Sequence, residues 1–593
     1  MTVTDAAGDF LSYQVNLVSL QLQKADGTMV ETLPATTAVD FAQLIDLSEV
    51  LSARQIPPGD YVAAQVTVDY TNASIMIDDG SGNAVAVKPV DATGAALGQL
   101  QLMVQLDNKN QLQINAAKTS RIAFDFNLLA SNMVDLTAKT VTVSPVLTAS
   151  VVPVDNKQVR VRGEITAVDT ANSDYTVQVD PFHDRNDDRL SPLTVHVTGT
   201  TTFEINGTPL AGAAGLAQLA TLPSGTTAVA FGSIDATALS FTASNVLAGS
   251  SVEGGGLDHL SGTVIARTGN SLTVHGAHMQ DHDNGDDHDG NDEFMAGNST
   301  VTIAAATAVT VLGQSSATPA HTIAEISVGS LIDAFGSASK GGSGPATFDA
   351  STGRVRLGFS QVQGVLNAVG TNQITIKLNS IDRLPSSLFS FAGTSSASGA
   401  AGDPTQYVLT TGNLSLTPFT VGESLMGIGL VAPFGSTPPD FDAITLVSGS
   451  QGDIDDDDDD NDNSGKGAQM DIDWGKSGTT VPFKALDAMH LDLDVSNSSI
   501  GSHHRIQVDP QDIDITALAS DPSIVSASGM TQFAITGQHG RATDNFTGFA
   551  DFEAALAQDL NGTTTALRLT ADGQYDAASN TFSARRITIL LSN

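Results

Sequence analysis

Eight of the ten residues from Asp453 to Asp462 are aspartate, and the run relaxes through Asn463-Ser-Gly-Lys-Gly-Ala-Gln-Met470 into Asp471-Ile-Asp-Trp474. Two carboxylates about 6 Å apart repel by about 0.7 kcal/mol even at the dielectric of water. Such a run either stays solvated as an acidic linker or is ordered by a divalent cation. The spacing supplies a register for the second option. Asp460, Asp462 and Ser464 stand at positions 1, 3 and 5 of a calcium loop, with Gly465 at position 6, Lys466 at the backbone-carbonyl position 7 and Asp471 at position 12. The pattern departs from an EF-hand: Asp471 stands where Glu is usual, Gly467 where an apolar residue is usual, and no amphipathic helix flanks the run.

Two further clusters point to the same chemistry. Asp184, Asn186 and Asp188 repeat the one-three-five spacing, without the glycine that follows it in a calcium loop. The segment Asp281-His-Asp-Asn-Gly-Asp-Asp-His-Asp289 offers Asp281, Asp283, Asp287 and Asp289 to calcium, and its His282 and His288 suit zinc, nickel or copper. A solvated loop is the alternative in each case. Calcium is the expected cofactor, and divalent cations are the expected partners.

Motifs for covalent or hydrolytic chemistry are missing. The chain contains no Gly-x-Ser-x-Gly and no His-Glu-x-x-His, and Gly475-Lys-Ser477 has Met470 where a phosphate loop needs glycine. One tryptophan and 5% aromatic residues provide few platforms for stacking sugars. Carboxylate pairs for glycoside hydrolysis depend on the fold, so a polysaccharide-acting hydrolase stays open as an alternative.

The elements that must position these residues are strands. The 593 residues carry a net charge of −39, which argues against nucleic acid or anionic membrane as a partner, and there is no cysteine to form a disulfide framework. No stretch reaches the eighteen apolar residues of a membrane-spanning helix. Met1-Thr-Val-Thr-Asp lacks the basic and apolar regions of a signal peptide, so a signal or anchor is expected outside this sequence.

Alternating runs dominate residues 1–153. Tyr13, Val15 and Leu17 alternate, then Val18, Leu20 and Leu22 do so one residue out of phase, which predicts a bulge. Ile75–Ile77 is expected to pair with Val85–Val87 in a hairpin. The apolar residues between Val39 and Ser52 recur at helical intervals and predict one short helix across a sandwich.

Within this domain, Thr2-Val-Thr-Asp-Ala-Ala-Gly-Asp9, the Val15–Leu22 strand, Val39-Asp-Phe41 and Ile56-Pro-Pro-Gly-Asp-Tyr61 resemble an N-terminal domain of unknown function common in bacterial cell-surface lipoproteins. The family usually has proline in place of Ala7, and a lipid-modified cysteine with a glycine-rich tether upstream; both are missing here. The resemblance covers about a quarter of the chain. It implies export and an immunoglobulin- or transthyretin-like sandwich, and no known chemistry.

Residues 158–450 repeat. Arg162-Gly-Glu-Ile-Thr-Ala-Val168, Ser261-Gly-Thr-Val-Ile-Ala-Arg267 and Gln363-Gly-Val-Leu-Asn-Ala-Val369 open three modules about 100 residues apart. Each module also carries a Phe-Gly-Ser mark, at Phe231, Phe335 and Phe434. About 100 residues with this strand spacing suits a small barrel of the OB type, and the repeats resemble a second domain of unknown function found in tandem in the same kind of lipoprotein.

The expected architecture is therefore all-β, an N-terminal β-sandwich followed by tandem OB-like small β-barrels with few short helices. Its boundaries are 1–153, 158–252, 257–362, 363–450, and 451–593 for the acidic linker with a degenerate C-terminal module. The expected function is that of a non-enzymatic extracellular or cell-surface protein with calcium-binding acidic loops and a structural or adhesive role. A self-assembling filament or matrix subunit, formed by strand donation between copies, is the alternative outside enzymology.

Overall fold

A computed structural model describes residues 2–6, 10–33, 36–44, 47–50, 56–78, 84–91, 93–106, 112–114, 121–150, 158–179, 192–235, 240–253, 255–280, 293–294, 298–339, 346–397, 400–417, 419–422, 424–448, 467–475, 477–496, 503–508, 511–529, 531–537, 542–560 and 562–592. The fold is all-β with tandem small barrels. Among the described residues α-helix is confined to Leu128–Ser131, Gly212–Leu219 and Phe549–Asp559.

The N-terminal unit is a sandwich. One layer is built on the long antiparallel strands Phe10–Lys24 and Gly59–Asp78, with a register slip between Leu17 and Ser19 that bulges Val18 and lets Leu17 and Leu20 both face the core. Ile75 pairs with Val87 and Ile77 with Val85, as the alternation predicts. The other layer joins Thr2–Ala6, Leu47–Val50, Ala123–Asn127 and Leu147–Ser150. Tyr13 of the first layer meets Phe126 of the second at 6.1 Å between ring centroids, and Phe41 stacks on the same ring at 4.6 Å.

Among the described residues between Val39 and Ser52 the expected helix is replaced by other elements. Strands Thr37–Asp40 and Leu47–Val50 flank a single 3-10 turn, Phe41–Gln43. The reason is local. The Asp40 carboxylate accepts from the Ala42 and Tyr13 amides at 3.1 and 2.7 Å, which caps one turn and ties it to the neighbouring strand. The chain is crossing between layers, so Phe41 and Leu44 are apolar because they enter the sandwich core, and their spacing imitates a helical face.

Three closed barrels follow. In the first, Gln158–Asp169, Asp174–Val179, Pro192–Ile205, Thr227–Ile234 and Phe241–Ala248 pair in the order first, second, third, fifth, fourth and back to first, with only the third-to-fifth contact parallel. This is a five-stranded Greek-key barrel of the OB type. Strands Asp258–Thr268 to Thr347–Leu357 repeat the order, and so do Ser360–Val369 to Phe441–Ser448. In the C-terminal module Gly467–Asp473, Ala566–Asp576 and Thr581–Leu591 keep the first-fourth-fifth path, and Ser523–Ser526 lies parallel to the last strand.

A glycine marks the same bulge in all four modules. Gly232, Gly336, Gly429 and Gly573 lie where the fourth strand slips against the fifth, and an added Cβ would come 2.0–2.1 Å from a carbonyl oxygen of the facing strand. The third Phe-Gly-Ser mark is thus not the counterpart of the first two. Gly429 takes that place, and Phe434 lies beyond the strand against the second barrel.

The chain also closes on itself. Thr543 and Asp544 of the C-terminal module pair in parallel with Val104 and Gln105 of the sandwich, and Asn545 Nδ2 donates to the Gln105 carbonyl at 3.2 Å.

Candidate functional site

Of the residues whose spacing suggests metal binding, Asp184, Asn186, Asp188, Asp281, Asp283, Asp287, Asp289, Asp460, Asp462, Ser464 and Lys466 lie outside the described residues, as do His282 and His288. What the structure fixes is their attachment. Segments 180–191 and 281–292 each leave the second strand of a barrel, after Val179 and after Gln280. Among the described residues no group of three or more His, Asp or Glu side chains is gathered around a common point.

Asp471 is described, and its carboxylate is committed elsewhere. It lies on the strand Gly467–Asp473 and is 2% exposed. Arg568 grips it with two parallel contacts, Nε to Oδ1 at 2.8 Å and Nη2 to Oδ2 at 2.9 Å, and His503 Nε2 stands 3.1 Å from Oδ2. Burial pushes the Asp471 carboxyl up, but the Arg568 charge and the contacts with Arg568 and His503 outweigh it and hold the group well below the usual carboxylate range. The hydrogen bond to Asp471 in turn raises His503, although burial opposes it. The described partners of this carboxylate are thus Arg568 and His503, which occupy both of its oxygens.

Arg568 does more than neutralise Asp471. Its Nη1 donates to the Asn132 carbonyl at 2.7 Å, across the boundary with the N-terminal sandwich. Asn132 is itself fixed, because its Oδ1 accepts from Tyr13 Oη at 3.0 Å and its Nδ2 donates to the Leu128 carbonyl at 2.8 Å. The chain of contacts thus runs from the sandwich core into the C-terminal module.

Other module boundaries carry buried charge as well. Arg160 Nη2 of the first barrel lies 2.7 Å from Glu49 Oε2, where Leu47–Val50 runs parallel to Gln158–Asp169. Between the first and second barrels, Glu204 receives Thr310 Oγ1 at 2.9 Å and Arg356 Nη1 at 3.4 Å, and Arg356 also donates to the Ser251 carbonyl at 3.0 Å. The other edge of the same guanidinium grips Asp333 Oδ2 through Nε and Nη2 at 3.1 and 2.9 Å. Arg354 and Arg356 stand over the Phe335 ring at 4.5 and 5.2 Å. Val229, Leu247 and Val252 seal the joint together with Phe231 and Leu312.

Between the second and third barrels the Arg267 guanidinium covers the Phe434 ring at 4.6 Å. Here Asp382 accepts from the Gln361 amide at 2.7 Å and from Thr263 Oγ1 at 2.9 Å. Burial pushes its carboxyl up to about 6, against the pull of those hydrogen bonds and of Arg383. An acid raised in the folded state costs stability once pH climbs above its unfolded value, and the full cost is reached above about 6. Asp382→Asn keeps the acceptor for Gln361, offers Thr263 an amide donor and suits the left-handed backbone at this position (φ 47°). It is expected to stabilise the protein by up to about 3 kcal/mol at pH 8 and by almost nothing near pH 4, read by chemical denaturation at both values. A loss of stability at pH 8 would contradict the assignment.

These networks are invisible to a search for ligand spacings, yet a signal existed. Arg160-Val-Arg162 and Arg354-Val-Arg356 place alternating arginines inside apolar strands of a chain with only 26 basic residues. A guanidinium in such a place needs a buried acid opposite it. Compared with protein-family models, with curated proteins and with solved structures, the chain matches none.

Proposed function

We propose that the chain is a non-enzymatic structural protein of the extracellular space or outer cell surface, a train of prefolded barrels whose acidic segments take up calcium. The observation that carries this reading is the placing of its buried charges. Glu49 with Arg160, Glu204 with Arg356, and Arg568 with the Asn132 carbonyl each span a boundary between modules, where they fix orientation. Charges kept for catalysis would instead face a cleft with a polar atom left for substrate.

The surface location rests on the resemblance of the first quarter of the chain to a lipoprotein domain. Cation uptake rests on the net charge of −39 and on the concentration of acid in connections between strands. Asp460, Asp462, Ser464 and the Lys466 carbonyl are the residues that would hold a calcium ion there. Divalent cations are the first partners, and other surface components or further copies of the chain the second. Assembly by strand donation has less support: Thr2–Ala6 is flanked by Ala123–Asn127 and Leu47–Val50, and Thr581–Leu591 by Ala566–Asp576 and Gln532–Gly537.

Calcium at about 1 mM, bound with extracellular affinities of about 0.1–1 mM, adds about 0.4–1.4 kcal/mol per site. The melting temperature is therefore expected to rise by about one to several degrees between chelator and millimolar calcium. An unchanged melting temperature would remove calcium from the proposal.

A further inference from the structure

The joint between the first and second barrels contains a histidine that its structural role does not explain. His259, on the first strand of the second barrel, is buried, with its ring 5.0 Å from that of Phe335. Its Nε2 lies 3.2 Å from Asp333 Oδ1, while Arg356 takes Oδ2 of the same carboxylate. Arg356 is also the arm that reaches Glu204 and the Ser251 carbonyl of the first barrel. The imidazole is therefore the outermost member of a relay, His259 to Asp333 to Arg356 to Glu204, that crosses the boundary.

We propose that this relay makes the joint protonation-sensitive, with the two barrels locked when His259 carries its proton and loosened when it is neutral. The groups that decide this are few. Asp333 faces the ring from the fourth strand, Arg354 and Arg356 stand on the fifth, Glu253 lies in the segment leading into the barrel, Asp258 precedes His259, and Glu204 belongs to the first barrel. Asp258 is occupied by the Ala338 amide. With the proton present, Glu204, Asp333, Glu253 and Asp258 face Arg354, Arg356 and His259, one negative charge in excess. Without it the excess becomes two beside Arg356 and Glu204, whose side chains are each 6% exposed, and Glu204 feels a weaker pull from the second barrel.

Burial draws the His259 proton off, but the hydrogen bond and charge of Asp333, with the charge of Glu253, more than offset burial and the repulsion from Arg356, so the ring holds its proton more tightly than a free histidine does. A raised value in the folded state gives stability that is fully present below about pH 6.5 and is lost as pH rises through the folded value. The joint is thus tight in mild acid and looser in mild alkali.

The absence of cysteine makes the test clean. Spin labels on Ala214→Cys in the first barrel and Asn270→Cys in the second, both exposed, report the distance between barrels in the full chain. One narrow distance distribution is expected near pH 6 and a broader one near pH 9, with a midpoint equal to that of the His259 ring measured by NMR. His259→Gln is expected to be broad at both values, and Asp333→Asn to lower the midpoint. Distributions that stay identical from pH 6 to pH 9, or a His259 ring that does not titrate in that range, overturn the proposal. Both results are read with His259 and its partners unsubstituted, so neither depends on a relay variant folding.

Discussion

Replacing Arg568 by alanine is expected to destabilise the C-terminal module by about 3–5 kcal/mol, because it leaves a buried carboxylate without its counter-charge. Asp471 is 2% exposed and draws both of its close guanidinium contacts from Arg568, while Arg505 Nε stays 3.7 Å away. His503 remains, but it is half exposed and its charge depends on pH. The same change removes the hydrogen bond to the Asn132 carbonyl, so the N-terminal sandwich should lose protection from hydrogen exchange around Tyr13 and Asn132. Chemical denaturation followed at Trp474, the single tryptophan and fully buried in this module, reads the first effect directly. The paired change Arg568→Met with Asp471→Leu removes both charges and should recover most of the loss. If the pair were as unstable as Arg568→Ala alone, lost packing rather than a stranded charge would be the cause.

The second large effect is expected at Arg356. Alanine there removes the guanidinium that Asp333 and Glu204 share and leaves Asp333 to His259 and Glu204 to Arg354 at 3.8 Å, and a loss of up to about 3–5 kcal/mol should appear in the transition that includes the first two barrels. Lysine restores a charge but not the fork that meets Asp333 with two nitrogens and Glu204 with the third, so Arg356→Lys should recover only part of the loss. Acid should produce a related effect. Asp333 is held well below the usual carboxylate range by Arg356 and His259 in spite of its burial, so its contribution is present above the ordinary aspartate value and lost only as pH falls through the depressed one. The joint therefore has two titrating edges, one below the ordinary aspartate value from Asp333 and one above the ordinary histidine value from His259.

How much of this was legible in the sequence depends on the distance over which the signal acts. Alternation is local: it showed the bulge at Val18, the pairing of Ile75–Ile77 with Val85–Val87 and the all-β class, because a strand declares its buried face every second residue. The crossover at Phe41 misled for the same reason. Its apolar residues enter one core from a turn, and spacing alone cannot distinguish that from a helix. The third Phe-Gly-Ser mark misled differently. Phe434 is apolar because it lies under Arg267 at a joint, whereas the bulge that needs glycine had moved to Gly429, in a stretch without a phenylalanine. The partner of Asp471 could not be read at all, since Arg568 is 97 residues away and nothing in the spacing 460 to 471 refers to it. Ligand spacing assumes that the last carboxylate is free to turn toward the loop. Here the strand that carries it sets it against Arg568 and His503.

The central claim is that buried charge at the joints holds sandwich, barrels and C-terminal module in one fixed arrangement. Small-angle X-ray scattering of the full chain near pH 6 tests it most directly. A single profile that matches the closed arrangement is expected, with Thr543 and Asp544 docked against Val104 and Gln105 in chelator as in calcium. A profile of modules tumbling independently, with the C-terminal unit far from the sandwich, would contradict it.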